Sequence, residues 1–273
     1  MTAPVFSHVN DRPLVAELDR EGVLRITLDR PARRNALGET MLAELQTALD
    51  AANTDPAVRV VVIAANGPAF SAGHDLKELT AHRGDSDGGR AYFATVMANC
   101  SRLMMSIVAL TKPVIAEVEG IATAAGCQIV ASCDLAIAAH TARFATPGVD
   151  IGLFCSTPAV ALSRNVGVKA AMEMLLTGDD IDSTRALEIG LVNRVVPADR
   201  LREQTTALAR EIASKSPRTL AIGKAAFYAQ AGMSLQDAYA RASAVMIENL
   251  LTRDADEGIS AFLERREPSW EGR

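Results

Sequence analysis

Apolar and polar positions alternate at both ends of a short turn near the start of this 273-residue chain. Leu14 to Leu18 and Val23 to Leu28 flank Glu21-Gly22, which predicts an antiparallel hairpin. Arg30-Pro31 then breaks the strand, and Gly38-Glu39-Thr40 opens a helix whose Leu42, Leu45 and Leu49 recur at helical spacing. From Arg59 to Leu79 a β-branched strand runs into a Gly/Pro turn, a small-residue loop and a helix start. The same order returns from Lys112 to Ala139. There Pro113 to Val118 predicts a buried strand, and a tight turn of small residues covers Gly120 to Gly126. The apolar stretch Cys127 to Ser132 follows, with a second short strand at Leu135 to Ala139. A strand–turn–helix unit used twice fits a coiled ββα core. Between the two units, Ala81 to Gly89 has the composition of a mobile loop, and Arg90 to Leu110 that of a helix. Phe93, Met97, Leu103, Met104 and Val108 on this helix fit core and pocket wall.

Beyond Ala139 the pattern changes. Ala142 to Arg164 is irregular in composition before a helix near Thr157-Pro158. From about Val166 the chain turns helical throughout, with Gly178 ending one helix and Asp182 or Ser183 capping the next. Gly190 and Pro197 bracket a strand or connector at Leu191 to Val196. Amphipathic helices are expected over Leu201 to Ala213, Arg218 to Gln230 and Ser234 to Thr252, with a last one running through Arg265. Such helices cannot bury their apolar faces alone, so they must pack on the core or on another subunit. We therefore divide the chain into a core (1–200) and a C-terminal helical region (201–273).

Composition narrows the function classes. With 49% hydrophobic residues the chain can bury a large core, while a net charge of −5 and a pI near 5.5 leave no electrostatic footprint for nucleic acid. Cys100, Cys127, Cys133 and Cys155 show no CxxC spacing and no nearby paired histidines, so no metal site is expected and reduced, buried thiols are. MTAPVFSHVNDRP lacks a signal core and an Arg-rich presequence, and no apolar run approaches the roughly 20 residues of a membrane span. A soluble, cytoplasmic protein without membrane contact is the expectation.

The candidate chemistry lies in the repeated unit. A strand, a glycine turn and a helix start leave unpaired backbone N–H groups at the helix N-terminus. Ala124, Ala125 and Gly126 are small enough for a ligand oxygen to approach that backbone, or simply for tight packing. Two such units can aim two N–H groups at one carbonyl oxygen, forming an oxyanion hole.

The pair resembles the crotonase (enoyl-CoA hydratase/isomerase) superfamily. The first signature matches Ala69-Phe70-Ser71-Ala72-Gly73-His74-Asp75-Leu76-Lys77 and the second Glu119-Gly120-Ile121-Ala122-Thr123-Ala124-Ala125-Gly126-Cys127. The likeness runs from about Val15 to the C-terminus. It implies an α/β crotonase fold, a ββα spiral core with a C-terminal helical region that forms trimers, which pair as hexamers. The substrate would be an acyl-CoA thioester, with coenzyme A as part of the substrate and no further cofactor. The backbone N–H groups of His74 and Ala125 would hold the thioester oxygen. Arg33 or Arg34, in the matching loop before the first helix, would hold CoA phosphates, and Ala36, Ala72, Asp75 and Leu76 fall at CoA-binding positions. Asp75 also suits a helix cap. Phe262 and Arg265 match positions that approach CoA bound to a neighbouring subunit. The His74 imidazole, where relatives often carry alanine, can carry a proton or merely pack.

One departure bears on mechanism. Relatives that hydrate an enoyl double bond use two glutamates, and the matching positions here are Gln128 and Gly148. Gln128 can hydrogen-bond water or substrate but cannot take a proton, and Gly148 has no side chain. Asp150, two residues on, projects to the same side as position 148 if the segment is extended, which makes it the candidate acid/base. Cys155 and Ser156 follow without a nearby His–Asp pair to activate them. The Phe144 to Pro158 stretch is similar to the enoyl-CoA hydratase domain-containing branch, which lacks the glutamate pair. Two readings result: an atypical hydratase/isomerase, or a non-catalytic acyl-CoA binder. A dinucleotide-dependent reductase is disfavoured, since no GxGxxG sits between a strand and a helix.

Overall fold

The computed structural model describes residues 13–273. Residues 1–12, which supply most of the N-terminal stretch read above for targeting signals, lie outside the described part. The first half of the chain runs β1 (Leu14–Leu18), β2 (Val23–Leu28), α1 (Glu39–Thr54), β3 (Val60–Ala65), β4 (Ala69–Ser71), α2 (Leu76–Ala81) and α3 (Arg90–Ala109). Next come β5 (Val114–Val118), β6 (Ile121–Thr123), α4 (Ala125–Ser132), β7 (Leu135–Ala139), β8 (Arg143–Ala145), α5 (Ser156–Leu162) and α6 (Val168–Thr177). The remainder is β9 (Ile181–Asp182), α7 (Ser183–Glu188), β10 (Arg194–Val196), α8 (Leu201–Ala213), α9 (Pro217–Gln230), α10 (Leu235–Leu250) and α11 (Arg253–Glu264).

The strands form two sheets, β1-β2-β3-β5-β7-β10 and β4-β6-β8-β9. In the larger sheet β1 and β2 pair antiparallel and the other pairs are parallel. Each of β3/β4, β5/β6 and β7/β8 gives one strand to the large sheet and the next to the small one before the chain turns helical. This is the expected ββα spiral. The Gly/Pro turn and small-residue loop expected within Arg59 to Leu79, and the turn expected at Gly120 to Gly126, instead contain the three-residue strands β4 and β6, and the segment expected to be irregular contains β8. Short runs of Ala, Ser and Thr carry no periodicity long enough to mark them as strands.

The central strands are apolar at nearly every position because both faces of the large sheet are covered. Val61 and Ile63 of β3 enter the main core with α1, α3 and α4 residues, while Val60 and Val62 join Ile115, Ala209 and Ala213 beneath α8. The helix from Leu201 thus covers the second face of the core sheet. A buried ion pair also lies there: Arg25 of β2 meets Glu117 of β5, and Thr206 of α8 accepts a further bond from Arg25.

The last three helices are attached differently. Neither α9 nor α10 has a buried residue. Lys224 of α9 reaches into the core instead, where its Nζ donates to the carbonyls of Ile107 and Lys112 and to Asp134, at 3.0, 3.1 and 2.7 Å. Tyr228 donates to the other oxygen of Asp134. Burial lowers the pKa of Lys224, opposed by Asp134, and raises that of Tyr228. No helix among the described residues is long and apolar enough to cross a membrane.

The polar 81–89 segment is folded rather than open. Its one turn of 3₁₀ helix, His82–Gly84, is followed by Asp87, whose carboxylate accepts from the N–H groups of Gly89 and Ala91 at the start of α3. His82 stacks on Tyr92, with ring centroids 3.6 Å apart.

Candidate active site

Two loops that are distant in sequence are held together by one side chain. Asn35 is fully buried with φ +50, in the left-handed region that asparagine tolerates better than most residues. Its Oδ1 accepts from Arg30 N–H, and its Nδ2 donates to the carbonyls of Asn66 and Ala69. Ser71 Oγ returns a bond to the Asn35 carbonyl and accepts from Gly73 N–H. The segments 34–37 and 72–74 then run alongside each other, through Ala72 N–H to Arg34 O (3.0 Å) and Leu37 N–H to Gly73 O (2.8 Å). Arg34, Ala36, Ala72 and Asp75, expected at CoA-binding positions, are therefore neighbours, and Arg33 lies 4.0 Å from the Asp75 carboxylate. Asp75 caps α2 as expected, accepting from Lys77 and Glu78 N–H, and Leu76 follows with its side chain exposed. Asn35 and Ser71, which set this geometry, escape a reading by sequence. The one local signal for Asn35 is an asparagine following a Pro-led turn.

The second signature meets the first at Gly73 and Ala125. A Cβ built on Gly73 would lie 3.2 Å from Ala125 N and 2.9 Å from Ala124 Cβ, so the peptide leading to His74 abuts the start of α4. Gly126 packs as closely against β4, since a Cβ there would fall 2.3 Å from the Ser71 carbonyl. Gly73 has φ +81, and Ala124 is held at φ +49, ψ −118, a conformation that costs an L-residue about 1–3 kcal/mol. Among the described residues, neither the N–H of His74 nor that of Ala125 donates to a backbone carbonyl. Two unspent donors thus stand at one junction, one of them at the N-terminus of α4, where the helix dipole favours negative charge.

Gln128, one turn into α4, is 4% exposed and its Oε1 has no hydrogen-bond partner among the described residues. The His74 ring places Nδ1 3.3 Å from the Leu37 carbonyl and leaves Nε2 buried without a partner. Burial holds the ring pKa below its ordinary 6.5, with the Leu37 bond opposing. All four cysteines are free and buried. Burial raises their thiol pKa values, that of Cys127 to about 12. Among the described residues no group of three His, Cys, Asp or Glu side chains could hold a metal.

The acid/base expectation for Asp150 requires correction. Residues Pro147–Ile151 form a 3₁₀ turn, so positions two apart do not share a side as they would in a strand. Asp150 is exposed, and its carboxylate lies against Gly178, where a Cβ would meet its oxygens at 3.1 and 3.2 Å. Gly148 itself is tightly enclosed: a Cβ there would fall 2.9 Å from both Cys155 Sγ and the Leu153 carbonyl. The cysteine and its loop occupy the space into which a side chain at 148 would grow. Phe262 and Arg265 lie at the end of α11, with Phe262 83% exposed and Arg265 serving as the left-handed C-cap.

Comparison with known proteins identifies the family. The enoyl-CoA hydratase/isomerase family pattern matches residues 19–273. The human mitochondrial enoyl-CoA hydratase domain-containing protein 3 is 50% identical over 252 residues, covering 92% of this chain and 81% of that one. The crystal structure of a Mycobacterium smegmatis enoyl-CoA hydratase superposes with a TM-score of 0.91 at 48% identity, covering 95% of this chain and 99% of that one. The structure of human enoyl-CoA hydratase domain-containing protein 3 gives a TM-score of 0.90 at 48% identity, covering 95% and 100%. These relatives also overturn the expected cytoplasmic location, because the human protein and its Xenopus laevis and Rattus norvegicus counterparts are all named mitochondrial. With its crotonase fold and both signatures in place, the chain belongs to the enoyl-CoA hydratase/isomerase family.

Proposed function

We propose that this protein binds acyl-CoA thioesters and stabilises the thioester enolate with the N–H groups of His74 and Ala125. The observation that carries the proposal is the close approach of Gly73 to Ala125 N, with both donors unspent. A thioester oxygen held by two preorganised donors becomes enolate-like, and the α-carbon gains acidity. CoA would run along the paired 33–37 and 72–76 segments, its phosphates near Arg33 or Arg34, and would supply its own chemistry without a separate cofactor.

Ordinary enoyl hydration would be slow or absent. Gln128 accepts no proton, and Gly148 has neither a side chain nor room for one. This same observation favours the second reading, a non-catalytic acyl-CoA binder. We further propose assembly into trimers or hexamers, supported by α9 and α10, neither of which has a fully buried residue in a single chain, and by the exposed Leu235, Tyr239, Met246 and Ile247 of α10. Phe262 and Arg265 would then reach CoA on a neighbouring subunit.

The test is loss of enoyl absorbance on mixing protein with crotonyl-CoA, run beside calorimetric binding of the same thioester. Binding without hydration fits the proposal. Rapid hydration would refute the argument from Gln128 and Gly148, and absence of binding would refute the thioester site itself.

A further inference from the structure

A second concave site lies at the other edge of the large sheet from the two signatures. The parallel strands β3 and β5 begin at Val60 and Val114 and lead into those signatures at their far ends. The residues just before them are therefore removed from the signatures by the length of a strand, roughly 16 Å for the six residues of β3. Here a cleft of about 400 Å³ opens. It is lined by Pro56 and Arg59 before β3, Lys112 and Pro113 before β5, the first turn of α9 and residues 270–272 of the chain end. Its walls are stiff. Pro56, Pro113 and Pro217 have a fixed φ, and the Trp270 indole donates from Nε1 to the Ser214 carbonyl at 2.8 Å. The buried Asp254 carboxylate accepts from the N–H groups of Glu271 and Gly272 and from the hydroxyl of Ser216, the cap of α9. The chain end is thus tied to the helix turn beside it. A cleft held in this way is formed before any ligand arrives, which spares the ligand the cost of ordering it.

Three cations from three separate segments line this cleft: Arg59, Lys112 and Arg218. None of them forms an ion pair among the described residues. Arg59 donates to the Lys215 carbonyl at 2.7 Å and Lys112 to the Asn53 carbonyl at 2.6 Å, and their other N–H groups have no acceptor among the described residues. Arg218 is exposed and its side chain makes no hydrogen bond there at all. Glu271, the carboxylate on the lining, is matched already by Arg253 at 3.8 Å and Arg273 at 2.6 Å. Burial lowers the pKa of Lys112, opposed by Asp55, as befits an ammonium group short of a counter-ion. The whole chain carries −5, so the cleft reverses the prevailing sign. We infer that it binds a small organic anion, with a carboxylate or phosphate head among Arg59, Lys112 and Arg218 and an apolar body against the prolines and Trp270. Guanidinium forks match the oxygen pairs of either head. This site stands independently of the thioester reading given above.

Trp270 is the only tryptophan in the chain, so its emission reports on the cleft without a label. The full-length protein, in the assembly it forms in solution, is titrated with octanoate, octyl phosphate and neutral octanol, and emission is followed beside calorimetry. Saturable binding of an anion with a shift in Trp270 emission is expected, and the tighter of the two heads identifies the class. Octanol should bind at least about 10-fold more weakly, and added salt should weaken the anions alone. Trp270 also borders an apolar cleft between α9, α10 and α11, so two variants fix the position of the ligand. Arg218→Ala removes a cation that has no hydrogen bond to lose, and Lys112→Met keeps the apolar stem of the lysine. Each should weaken anion binding about 10-fold, the loss of one charged hydrogen bond. Variants that fold and bind like wild type would overturn the inference and place the anion elsewhere. Octanol binding as tightly as the anions, or wild type binding neither anion, would overturn it as well.

Discussion

Replacing Gly73 with alanine tests the junction between the two signatures most directly. Residue 73 has φ +81, a region that costs a residue with a Cβ about 1–2 kcal/mol. The new methyl would meet Ala124 Cβ at 2.9 Å, the Thr123 carbonyl at 3.1 Å and Ala125 N at 3.2 Å. None of these atoms can swing aside, since each is backbone or fixed directly to it, so the two segments must separate by tenths of an ångström. Overpacking of this kind adds about 1–2 kcal/mol. The sum, about 2–4 kcal/mol, lowers the melting temperature by roughly 4–7 °C for a chain of this size. The effect on chemistry is separate and larger in proportion, because displacing one donor from an oxyanion hole costs about 100- to 1,000-fold in rate. Thermal unfolding followed by circular dichroism reads the first effect, and α-hydrogen exchange at saturating butyryl-CoA reads the second. A variant that melts and exchanges like wild type would refute the contact between residues 73 and 124–125. One that melts lower but exchanges normally would leave the contact standing and remove the oxyanion role.

Three further outcomes are expected. Ala124→Gly relieves the strained backbone at φ +49 and should raise the melting temperature by about 1–2 °C, equivalent to about 0.5–1 kcal/mol after the entropy gained by the unfolded chain is subtracted; an unchanged or lower melt would show that the strain is absent. Installing glutamates at both Gln128 and Gly148 should not create a crotonyl-CoA hydratase, because a Cβ at 148 lies 2.9 Å from the Leu153 carbonyl, and rapid loss of enoyl absorbance by that variant would contradict the geometry. As pH falls below 6.5 the unfolded chain protonates His74 while the folded ring, with its lowered pKa, does not, so stability should fall with acidification down to the folded pKa and level off below it. Denaturant melts of wild type and His74→Asn across this range should show a shallower slope in the variant, and identical slopes would count against the shift.

The parts of this fold that could be read from sequence are those where one pattern persists for five or more residues. β3, β5 and β7 are buried on both faces and therefore spell apolar runs, broken only by the ion-paired Glu117 of β5, and Gly178 and Asp182 mark helix ends by their own backbone and side-chain chemistry. β4, β6 and β8 are only three residues long and resemble turns, although they form the second sheet. At the site, the two signatures pointed to the segments that meet at Gly73 and Ala125, because backbone geometry follows glycine and small-residue spacing. Asp150 was misplaced because its direction depended on an extended segment, whereas a proline-led 3₁₀ turn carries its carboxylate to Gly178. Asn35 was missed because its importance lies in contacts with residues about 30 positions away, for which local sequence holds no signal.

The single lysine that roots α9 in the core has a mechanical consequence. Apart from sequence continuity, the polar attachment of α9 to the core is concentrated at Lys224 and, one turn on, Tyr228, both converging on Asp134. The helices beyond form a lever pivoting near this point, and α10, with 16 residues, is about 24 Å long. A tilt of about 5° at the pivot displaces the far end of such a helix by about 2 Å, more than a close-packed interface absorbs without losing its fit. The alignment of the exposed apolar face of α10 is therefore set by a few hydrogen bonds around one carboxylate. Substitutions at Asp134, a partly buried residue at the pivot, would be felt first as errors of alignment at the tip of the arm.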